Sequence, residues 1–212
     1  MTVKLDISKA YVRVGWGFLR QIMLKMGFDP RWVHLAMETI TIDSYAVLIN
    51  GESWGFITPW RGIKQGDPLS PYLFLLCVEG LSAMLRKAKE SHQLRGIKSS
   101  QQGVCISHLL FADDNLLFCQ AIVGECQWLL DLLETYEVAL GQAINRKKKK
   151  KKTSLFFSTN TKLEMRRAIQ RMLGAWIMSN TEKYLGLPMA SRKSKVNTFK
   201  ELQEKITKRV MG

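Results

Sequence analysis

Cysteine is scarce in this chain of 212 residues, with Cys77, Cys105, Cys119 and Cys126 the full complement. No two of them have a C-x-x-C spacing, so a zinc site is not expected. Their apolar surroundings predict reduced, buried thiols of an intracellular protein. Long hydrophobic runs are missing as well. The longest, Tyr72 to Val78, falls well short of the ~20 apolar residues that cross a membrane. The N-terminus carries Lys4 and Asp6 with no apolar core beside them, so no secretory signal is expected. No repeat period is visible, which speaks against a solenoid. Acidic residues are also few: 18 Asp and Glu stand against 32 Lys and Arg, a formal net charge of +14. Such an excess points to a polyanionic partner, with nucleic acid the commonest. Part of it is local, because Arg146 to Lys152 supplies seven charges, half of the excess.

What is present suits a folded domain. Hydrophobic residues make up 46% and aromatics 9%, too much for a disordered chain. The length allows one substantial core with a small appended subdomain. Val3 to Ile7 alternates like a strand with Asp6 near its end, and it begins so early that an abrupt start or a missing upstream segment is expected. Apolar residues at helical spacing follow over Phe18 to Met26, with Gly27 as a stop. Asp29-Pro30 supplies an N-cap and an N1 proline for a second helix through Ile40. Tyr45 to Ile49, Asn50-Gly51 and a strand through Thr58 spell a hairpin with a type I′ turn. The loop Pro59 to Pro68 is rich in Gly, Pro and charge, and reads as a connector or a site. Ser70-Pro71 opens a long helix to about Lys89. A second hairpin is expected over Val104 to Cys119, then a helix from about Val123 to Leu140 ended by Gly141. A short strand near Leu155 to Ser158 and helices near 162–173 and 196–211 complete the chain. Hairpins alternating with helices predict an α+β fold, an antiparallel sheet with helices packed on one face.

Chemistry concentrates at Leu109 to Phe118. Asp113 and Asp114 sit between two short apolar runs, a strand, turn, strand pattern. Asp is at home in hairpin turns, so the pair could be turn chemistry alone. Adjacent carboxylates also repel, which favours a bound cation, and hard oxygen donors suit magnesium. In the α+β arrangement Asp6 could lie beside them. Three carboxylates on one sheet, a Gly-containing basic loop and a positive surface fit two-metal nucleotidyl transfer.

Three segments, in this order, resemble the palm motifs of reverse transcriptases: Leu5-Asp6-Ile7-Ser8-Lys9-Ala10-Tyr11, Arg61-Gly62-Ile63-Lys64-Gln65-Gly66-Asp67-Pro68-Leu69-Ser70-Pro71, and Phe111-Ala112-Asp113-Asp114. The nearest class is the non-LTR (LINE-type) retrotransposon polymerase, plant-like, and the resemblance runs on through Tyr184-Leu185-Gly186-Leu187-Pro188. It implies a polymerase palm over 1–158, with a Lys-rich insertion at 146–152, and a connection to the start of a helical thumb over 159–212. It implies RNA-directed DNA polymerase activity: dNTPs added to a DNA primer on an RNA template, with two Mg²⁺ ions (Mn²⁺ as a substitute). Asp6, Asp113 and Asp114 would be catalytic and metal-binding, joined by the carbonyl of Ile7. Tyr11 would gate the sugar, Gln65 and Gly66 would line the nucleotide and template pocket, and Arg61 and Lys64 would reach phosphates. Lys152 maps to a possible general acid. Read blandly, Tyr11 is an aromatic near a helix start, and Arg61 and Lys64 are solvated charges.

Departures from the family pattern are equally specific. Val12 stands where an acidic residue is usual and is expected to loosen support around Asp6. Gly15 replaces a usual Glu and, at a helix interior, costs roughly 1 kcal/mol. Phe111 replaces the commoner Tyr and is expected to keep the turn's packing. The expected gene product is therefore a partial or degenerate copy, lacking fingers and most of the thumb that a longer protein would supply. A catalytically silent, basic nucleic-acid-binding relic is the alternative, and an RNA-dependent RNA polymerase a third reading that Tyr11 and the Gln65 loop disfavour. An intracellular, nuclear location and no membrane association are expected.

Overall fold

The computed structural model describes residues 1–6, 10–98, 100, 103–111, 114–140, 154–177, 183–184 and 187–188, with isolated positions at 204 and 207. Its centre is a five-stranded sheet in the order β6-β7-β1-β8-β9. Strand β1 (Thr2–Asp6) pairs antiparallel with β7 (Asp114–Phe118) on one side and β8 (Ser154–Phe156) on the other. Strand β6 (His108–Phe111) pairs antiparallel with β7 at one edge. At the other edge β9 (Trp176–Ile177) runs parallel to β8. The sheet is thus antiparallel except at that edge. A parallel pair needs a crossover, and helix α6 (Leu163–Leu173) provides it.

The period-2 pattern decides which face is covered. Val3, Leu117 and Leu155 occupy matching register positions, and each is fully buried. Along β6 the exposure alternates: His108 and Leu110 are half-buried, while Leu109 and Phe111 are exposed. Helices cover the Val3 side. Helix α4 (Ser70–Glu90) buries Leu73, Phe74, Cys77, Leu81 and Leu85, and α5 (Val123–Ala139) buries Cys126, Leu129 and Leu132. The two are tied where the Tyr136 hydroxyl donates to the Cys77 carbonyl at 2.9 Å. Helix α2 (Trp16–Lys25) approaches α4 at Gly80, where a Cβ would lie 2.7 Å from Ile22 Cδ1. The expected α+β fold, helices on one face, is what the chain adopts.

Helix starts follow the local signals. Helix α3 (Pro30–Thr41) begins with Asp29 Oδ1 accepting the Arg31 amide at 2.8 Å and Pro30 in the first turn. Helix α2 ends with Gly27 at φ 85°. Strands β2 (Tyr45–Ile49) and β3 (Glu52–Ile57) form the expected hairpin around Asn50 and Gly51, both at positive φ.

Three expectations change. Val104 to Ile106 does not belong to the second hairpin, because β5 (Cys105–Ile106) pairs with β4 (Ile97–Lys98) in a separate two-stranded sheet. Cys105 is only half-buried, its thiol donating to the Arg95 carbonyl at 2.8 Å. Gly15 is not interior to a helix. It is the extended residue (φ −74°, ψ 123°) between α1 (Ala10–Arg13) and α2, so no propensity cost arises. Phe111 is 60% exposed, and the turn residues next to it, Ala112 and Asp113, lie outside the described residues. A last pair, β10 (Lys183–Tyr184) with β11 (Leu187–Pro188), brackets Leu185 and Gly186. The lysine run, Gly141 and nearly all of 196–211 lie outside the described residues.

Candidate active site

The register of β1 on β7 places the Cα of Asp6 directly opposite that of Asp114. Opposed residues on antiparallel strands have Cα atoms about 4.5–5.5 Å apart. Two carboxylate-bearing positions, far apart in sequence, therefore meet at the same end of the central strands. On the other side of β7, Asp114 faces Phe111, the last residue of β6. Asp114 is thus the first residue of a strand, not part of a turn tip. Asp113, like Ile7 and Lys152, lies outside the described residues.

Lys4 enters this site unannounced. Its Nζ is 3.4 Å from Asp114 Oδ1, and both side chains are partly exposed. A lysine two residues before Asp6 stays on the same face of β1, which is the signal that could have identified it. An ion pair so accessible to water contributes at most about 1 kcal/mol. Its meaning is electrostatic, because the acidic end of the sheet carries a cation from its own strand.

A second group of residues is organised by backbone contacts between the 59–68 loop and α1. The Gly62 amide donates to the Val14 carbonyl at 2.7 Å, and the Ile63 amide to the Tyr11 carbonyl at 2.9 Å. Trp16 Nε1 donates to the Gly62 carbonyl at 2.7 Å. Gly62 has φ 93°, and a Cβ there would meet the Val12 carbonyl oxygen at 2.9 Å. Glycine is required at this point, where two backbones touch. Val12 itself turns its side chain to solvent, 56% exposed. Tyr11 stacks on Phe74 of α4, with centroids 4.9 Å apart and planes at 17°. The expected gate is therefore held from behind by an aromatic partner.

Beyond Ile63 the loop opens outward. Lys64, Gln65 and Gly66 are exposed, and Arg61 lies over the Trp60 ring at 4.3 Å. Gly66 is also at φ 93°, yet nothing lies within 4 Å of an added Cβ. Its backbone demands glycine while the space above it is open. Asp67 closes the loop: Oδ1 accepts the Leu69 amide at 2.7 Å and the Ser70 amide at 3.3 Å. That carboxylate satisfies the first amides of α4 and lies favourably at the positive end of its dipole. Sequence reasoning placed the helix start at Ser70-Pro71 but missed this role, although Asp three residues before Ser70 is a capping signal. Ser70 Oγ is instead buried with no hydrogen-bond partner among the described residues.

The hard oxygen donors at Asp6 and Asp114 suit Mg²⁺ better than a softer metal. Among the described residues no group of three His, Cys, Asp or Glu converges to hold a metal. None of the described helices is long and apolar enough to cross a membrane.

Residues 1–189 match the family model described as reverse transcriptase (RNA-dependent DNA polymerase). An uncharacterized mitochondrial protein of Arabidopsis thaliana is 57% identical over 67 residues, 32% of this chain and 55% of that protein. A Pol polyprotein from the type-1 retrotransposable element R2 of Popillia japonica is 35% identical over 117 residues, 54% of this chain and 18% of that protein. An uncharacterized 149 kDa protein of transposon TX1 from Xenopus laevis is 28% identical over 217 residues, 98% of this chain but 15% of that protein. The chain thus spans from about half to less than a fifth of the length of these relatives.

Proposed function

The chain belongs to the reverse transcriptase family, and from that premise we propose that it carries the polymerising centre of a non-LTR retrotransposon enzyme, adding dNTPs to a DNA primer 3′ end on an RNA template. The observation that carries the reading is the β1–β7 register, with Asp6 opposite Asp114 one residue from Asp113. In this proposal Asp6, Asp113 and Asp114, with the Ile7 carbonyl, would hold two Mg²⁺ ions. Bound there, the ions would stabilise the attacking and leaving oxygens of an in-line displacement. Lys4, paired with Asp114, offsets part of the negative charge of the acidic end. Tyr11, braced by Phe74, discriminates against a ribose 2′-hydroxyl. Gln65 and the open backbone at Gly66 receive nucleotide and template, while Arg61 and Lys64 contact phosphates. Lys152 protonates the departing pyrophosphate. We assign 1–158 to the palm and 159–212 to the palm–thumb connection, and we place the protein in the nucleus on the strength of the lysine run.

Primer extension on an RNA template with Mg²⁺ tests the assignment, first for this chain and then with fingers restored. Asp113→Ala and Asp6→Ala should abolish incorporation. Incorporation indifferent to both overturns the site. The Lys4–Asp114 ion pair favours a second reading, in which the site no longer takes metal and the chain only binds nucleic acid. That reading predicts RNA binding that weakens steeply with salt and ignores both Mg²⁺ and the aspartates.

A further inference from the structure

The strand that leads into Asp113 is fixed to the body of the molecule by a polar clamp that the proposed chemistry does not use. His108, the first residue of β6, has both ring nitrogens engaged. Nε2 lies 3.1 Å from Ser82 Oγ on α4, and Nδ1 lies 2.9 Å from Ser107 Oγ. Arg86 Nη1 donates to the same Ser82 Oγ at 3.1 Å, and its Nη2 donates to Glu79 Oε1 at 2.6 Å. One turn further along α4, Lys89 Nζ donates to the Cys105 carbonyl at 2.7 Å. Helix α4 thus holds the β5–β6 segment at two points. The N-terminal end of α4 is capped by Asp67 of the Gln65 loop. The clamp therefore couples the loop proposed to receive the nucleotide to the strand proposed to present the carboxylates.

One assignment of the protons gives every one of these groups a partner. Ser82 Oγ already receives a hydrogen from Arg86, so its own hydrogen is available for Nε2. Nε2 is then the bare acceptor and Nδ1 carries the proton towards Ser107. We propose that His108 is a positioning residue: its neutral imidazole, held between Ser82 and Ser107, sets β6 against α4 and so fixes the distance between the acidic turn and the Gln65 loop. This rests on the polymerase reading given above. A second ring proton would aim at the same hydroxyl that Arg86 already occupies. Among the described residues the charged groups acting on the ring all belong to α4, namely Arg86, Lys89 and Glu79, and the neighbour across on β7 is the apolar Leu117. Burial, then Arg86, then Lys89 hold the imidazole below its ordinary range, with Glu79 opposing. A histidine lowered in this way favours the ordered state fully above the unfolded value of about pH 6.5. The contribution disappears as pH falls below that value towards the folded one.

The test uses the full chain with restored fingers and compares His108→Leu with His108→Gln, which keeps an amide where Ser82 needs a partner. Incorporation by the leucine variant should fall about ten- to a hundredfold, as expected for a small misplacement of reacting groups. The glutamine variant should recover most of the rate at neutral pH and lose less of it than the parent as the solution is acidified. A leucine variant with unchanged rate and pH profile overturns the inference. Backbone hydrogen exchange at Leu109 to Phe111 supplies a readout that needs no turnover. Faster exchange in His108→Leu, and in the parent at pH 5.5 after correction for intrinsic rates, supports the clamp even if no variant incorporates dNTPs, in which case the polymerase reading alone fails. Exchange unchanged in both circumstances overturns the clamp itself.

Discussion

The β6–β7 pair and the β2–β3 hairpin are both short antiparallel ribbons, yet they stand at opposite extremes of this molecule. From Asn115 to Phe118 every residue of β7 is buried. In β2 and β3 every residue is exposed, including Leu48 at 70% and Phe56 at 88%. The sequence signal was as strong for the exposed ribbon, with its Asn-Gly turn, as for the buried one. Turn chemistry therefore forms a ribbon, and only neighbouring layers stabilise it. An isolated two-stranded hairpin is marginal in water, whereas β7 has β1 beside it and helices beneath. The acidic positions sit on the ribbon whose register is enforced by burial, since a one-residue slip would move Val3 and Leu117 off the face that the helices cover.

Three sets of substitutions would break or sharpen that contrast. The largest effect is expected from Leu117→Ala, which opens a cavity beneath the central sheet and should lower unfolding free energy by about 2–5 kcal/mol in denaturant titration. Leu48→Ala in the exposed ribbon should stay within about 0.5 kcal/mol. Equal losses would mean that the hairpin is not exposed in solution. A middle-sized effect is expected where backbones meet. Gly62→Ala combines a positive φ with the Val12 carbonyl and should cost about 2–3 kcal/mol, against about 1–2 for Gly66→Ala, where only the φ is unfavourable. Thermal melts of the two variants decide it, and an equal shift would show that the loop is not pinned to α1. The smallest effect has the opposite sign. Asn115 is wholly buried with neither amide atom hydrogen-bonded among the described residues. Asn115→Leu, similar in size, should raise stability by about 1 kcal/mol by removing an unpaired amide. A loss on this substitution would indicate that the amide has a partner.

Local signals carried much of the fold into view. Asp29-Pro30, Gly27 and Asn50-Gly51 each act within a few residues, and each does what its chemistry requires. Gly15 misled because propensity arguments assume a helix continues, whereas the chain breaks there into α1 and α2. The parallel β8–β9 edge was hidden because strands of two or three residues carry too little periodicity. Within the site, the carboxylates and the Gln65-Gly66 loop were legible through ordered motifs. The supporting contacts were not. His108 and Ser82 are 26 residues apart, and Trp16 and Gly62 are 46 apart. Nothing local in a histidine or a tryptophan announces a partner at that distance. Lys4 lay in between, visible as a neighbour of Asp6 on one face but silent about Asp114.

The position of β1 at the centre of the sheet also has a temporal consequence. Its cross-strand neighbours, Asn115 to Phe118 and Ser154 to Phe156, follow it by more than a hundred residues. A chain leaving the ribosome at about 5–20 residues per second would hold β1 unpaired for several seconds or longer before either neighbour is made. The helices between them can form early, since their contacts are local, but the sheet can close only late. Assembly of the acidic end of this molecule therefore cannot begin until residues 114–118 have been made, and Val3 and Leu5 of β1 wait uncovered in the meantime.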